Sequence, residues 1–291
     1  MSPTPGYALV TPARNERENL ERLAGCVLAQ ELTPVAWMIV DDASDDGTAE
    51  LAHSLAAAHP WVRVVSTGGD GDALASGRRQ GRALDSFRRG VEALPGPVEV
   101  VIKVDADTSF DAAYFRAIVE RFAAEPDLGI AGGACYEEED GRWVRQKVIA
   151  SHPRGASRAY RWPLIDDVMA LESRMGWDGL DEVKARIRGY RSAVLLDLAF
   201  KHHRPTGARE RGRVRHFAAQ GRAAWYMGYR PSYLFLRTVY RARREPAAVG
   251  MIWGFAAAAA AREPHCPEPD VIRQLRSEQR VRAVLRHGTP P

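Results

Sequence analysis

The chain has 291 residues, 45% hydrophobic and 27% charged, enough for one large α/β domain or for one domain with a helical appendage. Three scattered cysteines, Cys26, Cys135 and Cys266, exclude a disulfide framework and a CxxC-type zinc site and fit a reducing compartment. The net charge of +4 hides an asymmetry: residues 1–200 carry 23 basic and 31 acidic side chains, residues 201–291 carry 18 and 6.

Tyr7–Thr11 reads as a first strand and Pro12–Glu16 as the turn leaving it. Asn15 is the expected N-cap of a helix carrying Leu20, Leu23 and Val27, with Glu16 and Glu18 in its first turn. Val35–Val40 is a second strand ending in Asp41-Asp42-Ala-Ser-Asp-Asp46-Gly47-Thr48, where the next helix begins. Trp61–Val65 is a third strand, followed by a glycine-rich loop over Ser66–Gly77 and a helix through Leu84, Phe87 and Val91. Gly69-Asp70-Gly71 lacks the Gly-Lys-Ser/Thr ending of a phosphate loop and reads as a lid.

Val100–Val104 is a β-branched run that ends in Asp105-Ala106-Asp107. A helix over Asp111–Ala124 follows, then a strand over Leu128–Cys135. A segment over Trp143–Ile149 is expected to pair with that strand across an acidic loop at Glu137–Asp140. Strands alternating with helices predict a mostly parallel, doubly wound α/β sheet flanked by helices. Beyond residue 150 the pattern changes to a basic stretch, Arg154–Arg161, then helices around Leu164–Met175 and from Trp177 to Arg188. A strand over Ala193–Phe200 runs into Lys201-His202-His203-Arg204-Pro205. Helical spacing then covers Ala218–Met227, Tyr233–Arg243, Ala247–Ala261 and Asp270–Leu285. The longest apolar stretch, Ala247–Ala261, falls short of the ~20 residues a membrane span needs. The start, Met-Ser-Pro-Thr-Pro-Gly, has no signal pattern, so a cytoplasmic location is expected.

In a parallel sheet the ends of the first, second and fourth strands share one rim, where α/β folds bind ligands. Asp105-x-Asp107 alone fits a solvated turn as well as a clamp for a hard divalent cation. Two further polar strand ends on the same rim favour the clamp.

Thr11-Pro-Ala-Arg-Asn-Glu16, Val40-Asp41-Asp42-Ala-Ser-Asp-Asp46-Gly47-Thr48 and Lys103-Val-Asp105-Ala-Asp107 resemble, in order and spacing, the successive motifs of family-2 glycosyltransferases with the GT-A fold. Gly176–Glu182 and His202–Gly207 are similar to acceptor-side motifs of bacterial members that build polysaccharides and other glycans. The resemblance implies a GT-A catalytic domain over 1–210, with a nucleotide-sugar half over 1–135 and an acceptor half over 136–210. Residues 211–291 would form a helical extension packed on it.

The implied roles follow residue by residue. Pro12, Ala13 and Glu16 would line the base and ribose, and Asp42 would hydrogen-bond the base, with Asp41 a capping or packing acid. Asp105 would hold the ribose and, with Asp107, an Mg²⁺ or Mn²⁺ bridging the diphosphate. The Gly-Lys usual before the third helix is replaced by Ser76-Gly77-Arg78-Arg79-Gln80-Gly81-Arg82, which leaves Arg82 or Arg79 as the nucleotide contact. Asp181 is the expected general base, with Glu182 in reserve, although Asp178 and Asp181 also suit the start of a helix. His202 or His203 would add a metal ligand and Arg204 a diphosphate contact. Trp177 could stack on a sugar, and Arg154, Arg158 and Arg161 could meet an anionic acceptor.

The expected activity is therefore metal-dependent, inverting transfer from a UDP- or GDP-type sugar to the hydroxyl of a glycan, lipid-linked or small-molecule acceptor. A sugar-1-phosphate nucleotidyltransferase is the first alternative, disfavoured because Thr11-Pro-Ala-Arg14 stands where its glycine-rich loop would be. A non-catalytic polyanion- or membrane-binding protein is the second. Aromatics interleaved with arginines from Trp225 to Tyr240 suit helix packing first, a peripheral contact with the inner face of a membrane second, and nucleic acid least.

Overall fold

The computed structural model describes residues 4–68, 82–147, 149–204 and 212–280. The lid Gly69-Asp70-Gly71, Arg79 and residues 281–285 of the expected last helix lie outside them. The chain divides into two compact units, residues 1–173 with 189–205 and residues 174–188 with 206–291. The expected division ran at 210; by internal contacts, 174–188 cluster with the C-terminal helices.

The first unit is built on a nine-stranded sheet in the order β3-β2-β1-β4-β8-β6-β9-β5, with β7 added to β6. Its strands are β1 (Thr4–Ala13), β2 (Ala36–Asp41), β3 (Val62–Ser66), β4 (Val98–Val104), β5 (Thr108–Phe110), β6 (Leu128–Glu139), β7 (Arg142–Arg145), β8 (Ser157–Arg161) and β9 (Arg191–His202). Its helices are α1 (Arg17–Leu28), α2 (Thr48–Ala58), α3 (Arg82–Glu92), α4 (Tyr114–Ala124) and α5 (Ile165–Met169). The pairings β3–β2, β2–β1 and β1–β4 are parallel, and every residue of β2 is buried, as strands covered on both faces require. Gly90 lets α3 lie close on this half, because a Cβ there would stand 2.3 Å from Val10 Cγ1.

Beyond β4 the sheet is mixed: β8 runs antiparallel to β4 and β6, β5 antiparallel to β9, and β6 parallel to β9. The acidic stretch expected as a loop is a continuation of β6. Its hairpin with β7 turns on Asp140-Gly141, both at positive φ as a tight hairpin turn demands. The basic stretch Arg154–Arg161 supplies β8, a strand the charged sequence concealed.

The second unit holds α6 (Trp177–Ile187), α7 (Arg213–Tyr226), α8 (Pro231–Ala242), α9 (Gly250–Ala260) and α10 (Pro269–Glu278). Small residues let α7 and α9 cross backbone to backbone: a Cβ on Gly254 would stand 1.9 Å from the Ala218 carbonyl oxygen. Salt bridges Lys184–Glu268 (2.8 Å) and Arg186–Glu278 (2.9 Å) bind α6 to α10 and its approach. Among the described residues no helix is long and apolar enough to cross a membrane.

Candidate active site

The parallel register sets Ala13 beside Asp41 and Val10 beside Lys103, so β1, β2 and β4 deliver their ends to one rim. The first two motifs are tied to each other there. The Asn15 N–H donates to Ser44 Oγ (3.0 Å), the Asp45 N–H to Asn15 Oδ1 (2.9 Å), and the Glu16 N–H to Thr48 Oγ1 (2.9 Å). Asn15 is therefore not the cap of α1. It sits at φ 54°, a conformation its short amide tolerates, and spends its side chain on the neighbouring loop.

Asp41 is buried and accepts from the Ser44 N–H (3.4 Å), a packing acid rather than a helix cap. Asp42 accepts from Thr67 Oγ1 at 2.6 Å and stands 3.4 Å from Arg14 Nη1 and 3.6 Å from Arg82 Nη1. Arg82, the expected substitute for a nucleotide-binding lysine, thus meets the acid expected to read the base. Pro12 and Ala13 close β1 at this rim, with Ala13 buried.

The second acid group gathers at the end of β4. Lys103, buried within the sheet, donates to Asp105 Oδ1 and to the Gly155 carbonyl (2.8 Å). Asp107 is buried; His202 Nε2 lies 3.4 Å from its Oδ1, and Arg204 Nη1 lies 3.4 Å from its Oδ2. Arg204 also grips Glu16 with both nitrogens, at 2.8 and 2.7 Å. His202 Nδ1 is 3.1 Å from Glu137 Oε1, a buried carboxylate opposite it in the β6–β9 register. Cys135, Glu137 and His202 hold their donor atoms within 4.8 Å of one another.

The electrostatics follow from this geometry. Burial opposes ionisation of Asp107, but its hydrogen bond with His202 and the charges of His202 and Arg204 hold its pKa below the usual carboxylate value. Burial favours neutral His202, yet bonds to Asp107 and Glu137 push it up to about 9. Burial pushes the Cys135 thiol to about 12, so it is a protonated packing group. His203 turns the other way: its Nε2 meets Ser109 Oγ at 2.8 Å, and its ring stands edge-on to Trp143. Of the adjacent pair, His202 is the one that faces Asp107.

Two carboxylates and an imidazole are the oxygen and nitrogen donors Mg²⁺ and Mn²⁺ take. By donor type Asp105, Asp107 and His202 suit such an ion, and Glu137 stands at the other nitrogen of the imidazole. Sequence reading missed Lys103 and Glu137. Lys103 stood two residues before Asp105, a spacing that puts alternate residues of an extended chain on one side, which was signal enough. Glu137 could be placed only once β6 was known to extend past Cys135.

Asp181, Glu182 and Trp177 all lie on α6, in the second unit. Asp181 is 2% exposed and Glu182 0%, so neither is an ordinary first-turn surface acid. Arg158 is fully buried in β8, where its guanidinium donates to the Pro153 carbonyl.

Three comparisons bear on these observations. The family model for glycosyl transferase family 2 matches residues 8–175. Polyprenol monophosphomannose synthase of Mycolicibacterium smegmatis is 30% identical over 206 residues, 68% of this chain and 66% of that protein. Among solved structures, the mannosyltransferase PcManGT from Pyrobaculum calidifontis, in complex with GDP-Man and Mn²⁺, aligns over 89% of this chain and 76% of its own, with TM-score 0.55 and 19% identity. S. aureus TarS 1–349 in complex with UDP-GlcNAc aligns over 98% and 92%, with TM-score 0.60 and 15% identity, a likeness of fold.

Proposed function

The chain belongs to glycosyl transferase family 2 and has the GT-A fold, and from that premise we propose metal-dependent, inverting transfer of a sugar from a nucleoside-diphosphate sugar to an acceptor hydroxyl. The observation that carries this reading is the convergence of Asp107 and His202, 3.4 Å apart, at the end of β4 beside Asp105. Solvated acidic turns do not bury their carboxylate against a histidine held by a second acid.

In this reading Asp42 and Arg82 receive the base, with Pro12 and Ala13 along its edge, and Asp105, Asp107 and His202 hold Mg²⁺ or Mn²⁺. The ion, when bound, offsets charge developing on the departing diphosphate. Arg204, which lies 3.4 Å from Asp107, would trade Glu16 for a phosphate oxygen. Asp181 takes the acceptor proton as the acceptor oxygen bonds to the anomeric carbon and the anomeric carbon–phosphate oxygen bond breaks; Glu182 is the reserve base. Trp177 and Arg158 belong to the acceptor side. The acceptor is a glycan, a lipid-linked sugar or a small molecule, in the cytoplasm, where three free cysteines persist. The mannose-handling relatives make GDP-mannose the first donor to try, with UDP-GlcNAc second.

Thermal unfolding with Mn²⁺ and each nucleotide is the test. A midpoint raised by GDP or UDP only when Mn²⁺ is present, and lost on chelation, supports the reading. An unchanged midpoint with every metal–nucleotide pair, beside no hydrolysis of any nucleotide sugar, overturns it.

A further inference from the structure

Helix α8 buries Tyr233, Leu234 and Thr238 and yet leaves a second apolar stripe in solvent. Its inner side carries Arg237, whose Nη1 donates to the Tyr229 hydroxyl (3.1 Å), and Arg241, whose Nη1 donates to Gln220 Oε1 (2.8 Å). Its outer side carries Phe235, Leu236, Val239 and Tyr240, spaced so that they form one stripe. Phe235 and Leu236 are each 56% exposed and Tyr240 66%. On α9, which packs beside α8, Ile252 and the 65%-exposed Trp253 begin a second stripe continued by exposed Ala256 and Ala260. A surface helix normally buries its apolar stripe and shows its charges. Single exposed apolar residues are common, but exposed apolar stripes carrying aromatics on two helices that pack together mark an interaction surface.

The surrounding charge selects the occupant. Residues 212–263 contain nine arginines against two glutamates, a balance of +7. Both glutamates are already engaged, Glu245 with Arg213 at 2.9 Å and Glu263 with Arg222 at 2.6 Å. Arg243 and Arg244 stand exposed just past α8, and Arg262 just past α9. A second copy of the chain would bring the same positive balance against itself. An anionic bilayer offers apolar depth for the stripes, an interfacial layer that suits Trp and Tyr, and negative headgroups for the arginines.

We propose that the outer face of α8 and α9 seats this protein on an anionic lipid surface, lying in the interface rather than crossing it. The helices present Phe235, Leu236, Tyr240 and Trp253 to the acyl boundary, while Arg243, Arg244 and Arg262 meet headgroup phosphates.

The test is co-sedimentation of the full chain with vesicles of phosphatidylcholine, with and without phosphatidylglycerol. The wild type should pellet with the anionic vesicles and bind the neutral ones at least ~10-fold more weakly. F235S/L236S/Y240S/W253S should lower partitioning ~100-fold, and Arg243→Ser and Arg244→Ser about 5-fold each. The two arginine variants alter no packed side chain and keep the test decisive even if the fourfold variant does not fold. Thermal response to Mn²⁺ and nucleotide, read in parallel, should be unchanged in all of them. Wild type left in the supernatant overturns the proposal, as does partitioning indifferent to every variant. So does a face that binds single-stranded oligonucleotide or a second copy of the chain but not vesicles.

Discussion

The acid–histidine cluster of the sheet unit and the outer face of α8 and α9 solve opposite problems. Around Asp107 the chain hides polar groups and gives each a partner: His202 between Asp107 and Glu137, Lys103 between Asp105 and Gly155, Arg204 between Asp107 and Glu16. On the outer side of α8 and α9 it does the reverse: α8 engages Arg237 and Arg241 within the unit, while Phe235 and Tyr240 and, on α9, Trp253 stand in solvent. Buried polar groups are costly unless satisfied, and exposed apolar ones gain nothing from water. One region spends stability to hold charges in place for chemistry. The other forgoes burial to leave a surface ready for something outside the chain. Substitutions in the first should change rate and metal affinity; substitutions in the second should change neither.

The largest effect is expected at Asp181. Asp181→Asn keeps shape but cannot accept a proton, and should lower kcat by ~10²–10⁴ with nucleotide binding intact, as read by turnover beside calorimetric titration of GDP or UDP with Mn²⁺. Full turnover in that variant would mean that Asp181 is not the base. Asp107→Ala should abolish metal-dependent nucleotide binding and cost ~10²–10³ in kcat/KM, leaving His202 to Glu137 and Arg204 to Glu16. Metal-dependent binding that survived would break the clamp and return Asp105-x-Asp107 to an acidic turn.

Glu137 sharpens the same comparison from outside the motif. Glu137→Ala frees the His202 ring to rotate and should weaken Mn²⁺ binding ~10–100-fold, with Glu137→Gln recovering part of it, since an amide oxygen still accepts from Nδ1–H. Titration of free Mn²⁺ by electron paramagnetic resonance reads this directly. Equal affinity in all three proteins would mean that Glu137 only packs. Lys103→Met should cost ~1–3 kcal/mol in urea unfolding, less than a fully buried pair, because Asp105 keeps a third of its side chain in solvent.

How much of this was legible follows from what each residue depends on. Parallel strands buried on both faces read as apolar runs, so β1, β2 and β4 and the acids ending β2 and β4 could be placed from sequence. The strand β8 could not, because Arg158 and Arg161 make Ser157–Arg161 look solvated until β4 and β6 close around it. The choice between His202 and His203 depended on a register. Adjacent strand residues face opposite ways, and only the pairing of Thr108 with His202 fixes which one meets Asp107. Asn15 misled for a local reason. The sequence suits a cap, but a positive φ and the loop after β2 claimed its amide. The outer face of α8 was legible as aromatics among arginines, yet which residues faced out required the helix's neighbours.

The smallest effect is the one that separates the two regions most cleanly. Phe115 and Phe235 are both phenylalanines on or beside helices, one fully buried against Tyr7 and Phe110, the other 56% exposed. Phe115→Ala should cost ~3–5 kcal/mol, because the ring leaves a cavity in the core. Phe235→Ser should shift stability by no more than ~0.5 kcal/mol in urea, because its ring gains little from folding and leaves no cavity behind. Trp253→Ser should behave the same way, and nucleotide binding should be untouched in both. A loss above ~1 kcal/mol at either exposed position would mean that the face is packed against part of the chain itself, and the contrast between a region built for chemistry and one left open for a partner would fail.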